Sequence, residues 1–322
     1  MEWENLDVLI TGGTGSFGRK FVEIMLRDFH ARRVVIFSRD ELKQHEMRMS
    51  GFDDRSLRYF IGDVRDKERL RRAMSRINIV VHAAALKQVP SCEYNPFEAV
   101  KTNIYGAQNV IDAAIDMGVK KVIALSSDKA VNPVNLYGAT KLCADKIFVH
   151  GNSYSGPMGP RFSCVRYGNV IGSRGSVIPL FKDQKGNGKV TITDRRMTRF
   201  WITLDRAVET VISSLDYMQG GEIFVPKIQS MKIVDLAEAI APGCEIETIG
   251  IRPGEKLHEV LITEEDGRNT IEHDSMYVIL PSQIWLGMDI KKIGDKMPDG
   301  FFYSSNTNKE WMEIEELRRL IG

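Results

Sequence analysis

The chain lacks several features that would place it in a specialised class. Its 322 residues contain no run of the roughly 18–20 apolar residues that a membrane-spanning helix needs. Lys and Arg number 44 and Asp and Glu number 43, and the resulting net charge of +1 argues against an electrostatic nucleic-acid binder. The acidic start leads directly into a strand-like segment, which is unlike a secretory signal peptide. We therefore expect neither a membrane nor a nucleic acid as partner.

Cysteine is also scarce, and its spacing offers no site. The chain has four cysteines without a C-x-x-C pair, namely Cys92, Cys143, Cys164 and Cys244. We expect reduced thiols that pack as small core residues, as is usual in the cytoplasm. No other histidine stands at a ligand-like spacing from His82, so we expect His82 to pack within a strand and we predict no metal site.

Short apolar runs alternate with longer amphipathic segments in the first half of the chain. The runs are rich in Val, Ile or Phe and lie at residues 6–10, 33–37, 57–61, 77–83, 121–125 and 162–167. The amphipathic segments between them include residues 17–29, 40–49, 67–75 and 97–117. This alternation predicts an α/β fold with a doubly wound parallel sheet, and a crevice at the carboxyl ends of its strands.

After about residue 169 the regular alternation of apolar runs and amphipathic segments stops. The pattern beyond this point predicts helices at residues 201–218 and 231–240, and a strand at residues 222–225. We expect a Rossmann domain that binds a cofactor and consists of residues 1–172 plus about 202–226. A smaller C-terminal lobe, of about residues 173–201 plus 227–322, is expected to bind the substrate.

A glycine-rich turn follows the first predicted strand. Gly12, Gly15 and Gly18 are spaced three apart, and Ser16 and Phe17 open the helix between them. In such a turn the first glycine allows a tight bend and the second lets backbone N–H groups approach a pyrophosphate. The third permits close packing of the helix on the strand, and the helix N-terminus favours the anion. The pattern therefore predicts a dinucleotide site.

The end of the second predicted strand indicates which dinucleotide binds. It carries a hydroxyl group and two cations, from Ser38, Arg39 and Lys43. These groups suit a ribose 2′-phosphate, so NADP is the favoured cofactor, although Asp40 is a contrary sign. After the third strand, Asp63 and Val64 are placed to meet the edge of an adenine.

A tyrosine and a lysine stand four residues apart after the fifth predicted strand. Tyr137 and Lys141 therefore share one face of a helix. Because a nearby ammonium group stabilises a phenolate, we expect Lys141 to lower the pKa of Tyr137 and to make it a usable base. Lys141 can also hold a nicotinamide ribose. Asp128 and Lys129 follow the same strand, at the expected crevice.

These motifs together resemble the extended short-chain dehydrogenase/reductase superfamily. The resemblance rests on the glycine turn, on residues 82–85, on Asn103, and on Tyr137 with Lys141. It implies additional cofactor contacts from Ala83, Ala84, Lys87, Asn103 and Val170.

A narrower resemblance is to the inverting UDP-N-acetylglucosamine 4,6-dehydratases. It rests on residues 127–130, 135–141, 165–170 and 197–201, and in total it covers about residues 6–285. Those enzymes make 6-deoxy-4-keto sugars for pseudaminic acid and related bacterial glycans. The resemblance implies UDP-N-acetylglucosamine as substrate. It also implies inversion at C5, because the retaining enzymes carry Asp-Glu where this chain has Asp128-Lys129.

The resemblance implies a redox-neutral reaction with three proton-handling groups. Hydride leaves C4 for NADP⁺, water is lost across C5 and C6, and hydride then returns to C6. Tyr137 is expected to take the proton of the 4-hydroxyl group. Asp128 supplies the acid for the leaving hydroxyl only if burial or a shared proton keeps it protonated. Lys129 removes the C5 proton only if it is neutral. The group that returns a proton to C5 is left open here.

A UDP-sugar also brings two negative phosphates, which need cations from the second lobe. The resemblance implies that Ser127 bonds the 4-oxygen and that Arg199 binds the diphosphate. The complete set of expected substrate contacts is Lys87, Ser127, Asn169, Arg174, Val177, Arg195, Arg199 and Arg252.

The predicted helix at residues 95–117 gives an indication of the oligomeric state. It carries apolar side chains around much of its surface, at Val100, Ile104, Val110, Ile111 and Ile115. In the superfamily such a helix often packs on a second subunit, so we expect a cytoplasmic homo-oligomer.

Two other functions stay open at this point. An NAD(P)-dependent nucleotide-sugar 4-epimerase would use Tyr137 and Lys141 but would not need Asp128 and Lys129. A non-catalytic NADP-binding sensor would need none of the four, so the intact Tyr137 and Lys141 count against it.

Overall fold

The computed structural model of the chain describes residues 1–173, 176–282 and 294–321. Six strands come from the first half of the chain: β1 (Asp7–Thr11), β2 (Arg33–Ser38), β3 (Leu57–Ile61), β4 (Ile79–His82), β5 (Lys121–Leu125) and β6 (Arg161–Val165). The later strands are β7 (Asn169–Val170), β8 (Lys189–Ile192), β9 (Thr198–Ile202), β10 (Ile223–Pro226), β11 (Gln229–Lys232), β12 (Glu245–Thr248), β13 (Val260–Ile262), β14 (Thr270–His273), β15 (Met276–Ile279), β16 (Asp295–Lys296) and β17 (Tyr303–Ser304).

Seven of these strands form a parallel sheet in the order β10-β6-β5-β4-β1-β2-β3. The predicted α/β fold with a doubly wound sheet is confirmed. The strand order reverses between β1 and β4, where Thr11 pairs with His82. At such a reversal the crossovers leave in opposite directions, so a crevice opens at the carboxyl ends of the strands. Continuous burial of β1 explains its continuous apolar run.

Helices connect the strands in two layers. They are α1 (Ser16–Ile24), α2 (Glu41–Met49), α3 (Lys67–Ala73), α4 (Val89–Tyr94), α5 (Pro96–Val100), α6 (Gly106–Asp116), α7 (Leu136–Ser155), α8 (Val177–Lys185), α9 (Leu204–Tyr217), α10 (Ile233–Ile240), α11 (Glu264–Gly267) and α12 (Ile314–Ile321). Helix α1 packs against α9, whereas α6 packs against both α3 and α7. Side chains cap the N-termini of α2, α3, α7 and α9, from Asp40, Asp66, Asn135 and Thr203.

Two of the predicted helices are interrupted, and two begin later than predicted. A π-turn follows α1 at Met25–Phe29, and another at Lys101–Tyr105 separates α5 from α6. The helix expected from residue 201 begins at Leu204, because the preceding residues form the fully buried strand β9. The helix expected from residue 231 begins at Ile233, since β11 pairs with β9.

The C-terminal part of the chain is divided between two regions. Strands β7, β9 and β11 form a separate small sheet, and a second core contains Phe181, Trp201, Leu236 and Leu317. The antiparallel strands β14, β15 and β16 instead extend the central sheet beyond β10. This hairpin covers the edge that β10 would otherwise expose, and the division of the chain into two lobes stays a prediction.

Within the described ranges, no helix is both long and apolar enough to cross a membrane. The described residues also bring no three His, Cys, Asp or Glu side chains into an arrangement that could hold a metal ion. All four cysteines are unpaired, and Cys92 and Cys164 are buried.

Candidate active site

The glycine turn forms a cradle between β1 and α1. Gly12 has a φ of +68°, and a Cβ atom added there would lie 3.0 Å from Ala84 Cα. A Cβ atom on Gly18 would lie 2.5 Å from Gly13 Cα, so only glycine allows the helix to approach this closely. Helix α1 begins at Ser16, and none of the described side chains caps its first N–H groups. A helix N-terminus above a narrow cradle fits the pyrophosphate of a dinucleotide.

The end of β2 places two exposed cations beside this cradle. Ser38 is buried, and its hydroxyl group accepts a 3.1 Å hydrogen bond from a side-chain amide of α2. Asp40 caps α2, and its carboxylate lies 2.6 Å from Lys43 Nζ. Arg39 keeps 51% of its side chain exposed. The acidic residue that argued against NADP therefore has a structural role in capping the helix.

Asp63 and Val64 lie after β3, as the sequence predicts. The carboxylate of Asp63 accepts a 2.7 Å hydrogen bond from Arg65 and lies 3.6 Å from Arg39. Val64 is buried against Gly106, where an added Cβ atom would approach Val64 Cγ2 to 2.8 Å. These contacts hold the loop after β3 at the edge of the crevice, and an adenine contact here stays a prediction.

The loop after β4 is fixed from both sides. The backbone N–H groups of Ala83 and Ala84 donate to Thr11 Oγ1 at 3.1 Å and 3.2 Å. On the other side, the buried Asn103 accepts from the Leu86 N–H group at 2.8 Å and donates to its carbonyl at 3.0 Å. Asn103 thus orders the loop that runs past the cradle.

His82 is a packed strand residue, as the sequence predicts. Its Nδ1 atom lies 2.8 Å from Thr11 Oγ1, and its ring packs 5.4 Å from that of Phe148. Burial lowers the pKa of His82 to about 3, helped by the charge of Lys141. The ring is therefore neutral at physiological pH.

A short 3₁₀ turn (Asp128–Ala130) after β5 brings a carboxylate and an ammonium group together. Asp128 is 1% exposed, and its Oδ1 atom accepts from Ser127 Oγ at 2.8 Å and from Lys129 Nζ at 3.0 Å. Its Oδ2 atom has no partner among the described residues. Lys129 Nζ also lies 3.4 Å from Asn169 Oδ1 and 3.4 Å from Glu259 Oε1. Asp128 and Lys129 thus form one hydrogen-bonded pair inside a polar cluster.

Lys129 is charged in this arrangement. Burial by itself lowers the pKa of Lys129, but the negative charges of Asp128 and Glu259 outweigh it and raise the pKa above its ordinary value. The neutral amine that the sequence-based mechanism requires is therefore not the resting form. Removal of the C5 proton by Lys129 stays a prediction.

Tyr137 faces this cluster from α7. Burial raises the pKa of Tyr137 to about 12, although the charge of Lys129 and a hydrogen bond with Ser127 oppose the shift. The charge of Lys129 thus favours the phenolate form of Tyr137, and an effect of Lys141 on this pKa stays a prediction. Lys141 Nζ instead donates a 2.6 Å hydrogen bond to the Leu125 carbonyl, and burial lowers the pKa of Lys141.

Two expected substrate residues lie beside this cluster. Asn169 begins β7, with Val170 following it at the edge of the crevice. Arg199 is 7% exposed and lies in β9, where its guanidinium group donates to the carbonyls of Thr198 at 2.7 Å and Lys256 at 2.9 Å. These bonds fix the plane of the guanidinium group, and its contact with a diphosphate stays a prediction.

The other expected substrate contacts are not drawn into the cluster. Val177 begins α8, and Arg195 is exposed, with a 3.3 Å hydrogen bond to the Ile246 carbonyl. Lys87 and Arg252 lie in exposed loops. Arg174 lies outside the described residues.

Several buried charged residues of the site were not predicted. Glu259 lies in the cluster, and Lys256 Nζ lies 3.6 Å from its Oε2 atom. Behind Lys141, Asp145 accepts a 2.6 Å hydrogen bond from Ser126 and pairs with Arg166 at 3.4 Å. The proximity of Lys256 to Glu259 in sequence was a usable signal, whereas the approach of Arg166 to Asp145 depends on the sheet.

Comparison with known proteins places the chain among sugar-modifying enzymes. The profile of the family described as polysaccharide biosynthesis protein matches residues 8–281. A Campylobacter jejuni protein named UDP-N-acetylglucosamine 4,6-dehydratase (inverting) is 53% identical, over 98% of this chain and 97% of its own length.

Two other relatives share most of the chain. The X-ray structure of Pen from Bacillus thuringiensis superposes with a TM-score of 0.90 at 40% identity, and covers 100% of this chain and 99% of its own. A Rickettsia conorii protein named UDP-glucose 4-epimerase is 44% identical over 80% of this chain and 78% of its own length.

Proposed function

The chain belongs to the polysaccharide biosynthesis protein family, and we propose that it is an inverting UDP-N-acetylglucosamine 4,6-dehydratase that uses NADP. The observation that carries this proposal is the hydrogen-bonded pair of buried Asp128 and half-buried Lys129 beside Tyr137. Loss of water across C5 and C6 needs an acid and a base in addition to the base at the 4-hydroxyl group. An epimerase needs only the base at the 4-hydroxyl group. The Asp128–Lys129 pair is therefore needed by a dehydratase but not by an epimerase.

The cofactor is a nicotinamide dinucleotide whose pyrophosphate fits the cradle at Gly12 and Gly18. When bound, it accepts hydride from C4 and returns hydride to C6. Within the protein, Tyr137 takes the proton of the 4-hydroxyl group, and the interaction of its phenol with Ser127 lowers the Tyr137 pKa. The charge of Lys129 stabilises the phenolate, since it opposes the effect of burial on the Tyr137 pKa.

The Asp128–Lys129 pair carries the elimination. Transfer of one proton along their 3.0 Å hydrogen bond converts carboxylate and ammonium into carboxylic acid and amine. The amine of Lys129 then takes the proton from C5, while Asp128 gives its proton to the 6-hydroxyl group, which leaves as water. Both groups return to their resting charges, so one shared proton supplies the acid and the base together.

NADP is the proposed form of the cofactor. Arg39 and Lys43 are exposed beside the cradle, where a 2′-phosphate would meet them, and Asp40 is occupied as a helix cap. Charge-assisted hydrogen bonds from these cations would favour the phosphorylated ribose.

We also propose that the protein acts in the cytoplasm as a homo-oligomer, in the formation of a pseudaminic acid type of sugar. The unpaired cysteines fit a reducing compartment. Val110 and Ile111 belong to the core and are unsuited to an interface. Three exposed aromatic side chains of the same region are better suited, namely Tyr94, Phe97 and Tyr105. Light scattering after size exclusion would measure the assembly.

Proton NMR of the full chain with UDP-N-acetylglucosamine in D₂O tests the function. We expect a new methyl signal, deuterium at C5 and couplings of the arabino configuration, without added reductant, because the cycle is redox-neutral. Retained NADP⁺ supports turnover, and NADP⁺ is added if the purified chain has lost it. A methyl signal with gluco couplings would contradict inversion at C5 but would still support dehydration.

Two results would contradict dehydration itself. Formation of UDP-N-acetylgalactosamine without a methyl signal would favour the epimerase. This alternative is tested because the Rickettsia relative is named as an epimerase. No reaction with this or other UDP-sugars, even with NADP⁺ added, would favour a non-catalytic NADP-binding sensor.

A further inference from the structure

Glu259 is a buried carboxylate that the proposed reaction does not yet use. It is 2% exposed and lies just before β13. Its backbone is held in place, because its N–H group donates to Ser305 Oγ at 2.9 Å and its carbonyl accepts from the Ser305 N–H group at 2.8 Å. The side chain therefore reaches the site from a rigid support, across 130 residues of sequence from Lys129.

Three cations surround this carboxylate. Its Oε1 atom lies 3.4 Å from Lys129 Nζ and 3.7 Å from Arg199 Nε, and its Oε2 atom lies 3.6 Å from Lys256 Nζ. None of the described residues donates a hydrogen bond to Oε2. A buried carboxylate with an unsatisfied oxygen costs stability, so its presence beside Lys129 indicates a use in the reaction.

We propose that Glu259 is a positioning residue that acts through Lys129, which it holds together with Asp128 as an ammonium ion in the resting enzyme. This inference rests on the proposed function, because it assigns a use to Lys129. Two carboxylates contact this one ammonium group, at 3.0 Å and 3.4 Å, and together they hold the Nζ atom in place. Glu259 thereby keeps the proton available for transfer to Asp128 when the substrate enters.

The balance of charges around Lys129 determines the expected effect of a substitution. Asp128 faces Lys129 from its own turn, Tyr137 from α7, Arg199 from β9, and Lys256 and Glu259 from the segment before β13. Without Glu259, the carboxylate of Asp128 remains beside Lys129, together with two positive charges from Arg199 and Lys256. The pKa of Lys129 then falls, so its ammonium form is lost at lower pH.

The test compares the full-length wild type with Glu259→Gln, which removes the charge and keeps the shape. The first readout is the pH titration of the Lys129 ¹³Cε signal in lysine-labelled protein, assigned with Lys129→Arg. We expect no titration of wild-type Lys129 between about pH 7 and pH 10, and a titration within that range in the variant. The second readout is kcat, which we expect to acquire a new ionisation in the same range, with KM changed by less than about twofold.

Glu265→Gln is the matched control, because it makes the same change at an exposed position of α11 in the same region. If Glu259→Gln does not fold, Glu259→Asp carries the test, because the shorter side chain keeps the charge but withdraws it from Lys129, and we expect a shift of the Lys129 titration in the same direction but smaller. Titration of Lys129 as in the wild type, with a lower kcat, would overturn the inference and leave Glu259 a structural role. A wild type without product would refute the proposed function instead, and the ¹³Cε titration would still decide the charge of Lys129.

Discussion

The side-chain amide of Asn103 donates a 2.9 Å hydrogen bond to Oγ1 of Thr140, which directly precedes Lys141. Thr140 in turn donates to the Tyr137 carbonyl at 2.8 Å. Asn103 lies in the π-turn at Lys101–Tyr105, and it also holds the loop after β4. One buried amide thus connects the cofactor loop to the helix that carries the expected base, and π-turns often occur at such sites.

Asn103→Ala should therefore impair the reaction more than it impairs folding. We expect a loss of about 1–3 kcal/mol in the free energy of unfolding, because buried partners lose their hydrogen bonds. We expect kcat to fall by about tenfold or more, because the helix and the loop lose their common support. Urea unfolding and steady-state kinetics measure the two effects. Gln108→Ala, at an exposed position of α6, is the control, and an unchanged kcat in Asn103→Ala would contradict this role.

Asp128→Asn should stop dehydration without removing the base for C4. The amide cannot accept the shared proton from Lys129, so we expect formation of the methyl product to fall by about 100-fold or more. NMR of the product and calorimetric cofactor binding measure chemistry and site integrity. Asp299→Asn makes the same change at an exposed position. Retained dehydration in Asp128→Asn would show that another group protonates the leaving hydroxyl.

Gly18→Ala should weaken cofactor binding through the backbone of the glycine turn. The added methyl group would lie 2.5 Å from Gly13 Cα, which forces α1 away from the turn. We expect about 1–3 kcal/mol of destabilisation and a clear loss of affinity for NADP⁺ in calorimetry. Gly186→Ala is the matched control, since its Cβ atom would lie 3.7 Å from the nearest atom. Equal affinity in both variants would argue against the cradle.

Arg39→Ala should separate the two dinucleotides. If Arg39 binds a 2′-phosphate, loss of one charge-assisted hydrogen bond of about 1.5–3 kcal/mol raises the Kd for NADP⁺ by about tenfold or more. The Kd for NAD⁺ should stay nearly constant, because the unphosphorylated ribose makes no such contact. Calorimetry with both cofactors measures this difference, and Arg55→Ala, an exposed arginine, serves as control. A parallel loss of both affinities would contradict the proposal of NADP.

His82 should make the fold less stable in acid. Burial lowers the pKa of His82 to about 3, whereas the unfolded chain binds this proton below about pH 6.5. The unfolded state thus holds more protons between these values, and the free energy of unfolding falls as the pH decreases, by about 1.4 kcal/mol per pH unit. Urea unfolding between about pH 4 and pH 7 measures this slope. His82→Gln should remove it, and the exposed His150→Gln should keep it; equal slopes in all three proteins would exclude His82 as the source.

Several features of the fold and the site follow from short stretches of sequence. The strands β1 to β6 lie where the apolar runs predict them. The inner strands are buried at successive positions, which explains their apolar side chains, whereas the edge strand β3 exposes part of its run. Gly12 and Gly18 indicate the cradle because their backbone geometry admits no larger residue. The spacing of Tyr137 and Lys141 predicts a common helix face, which α7 provides.

Other features could not be read from local patterns. The helix at residues 97–117 is interrupted by a π-turn, and its Val110 and Ile111 pack in the core, since the neighbouring elements determine which face is covered. The strands β14 and β15 join the central sheet because the edge of β10 accepts their hairpin. Periodicity describes one element and contains no information about its neighbours.

Residue types and spacing thus identified the chemical groups of the site, whereas the charge states of those groups depend on contacts in the folded chain. Asp128 and Lys129 are adjacent in sequence, so the short turn after β5 is enough to bring their side chains together. Glu259 reaches Lys129 only after the C-terminal part of the chain packs against the turn after β5. Because burial and distance set the strength of a charge interaction, the tertiary contacts keep Lys129 an ammonium ion, whereas the sequence left its charge state open.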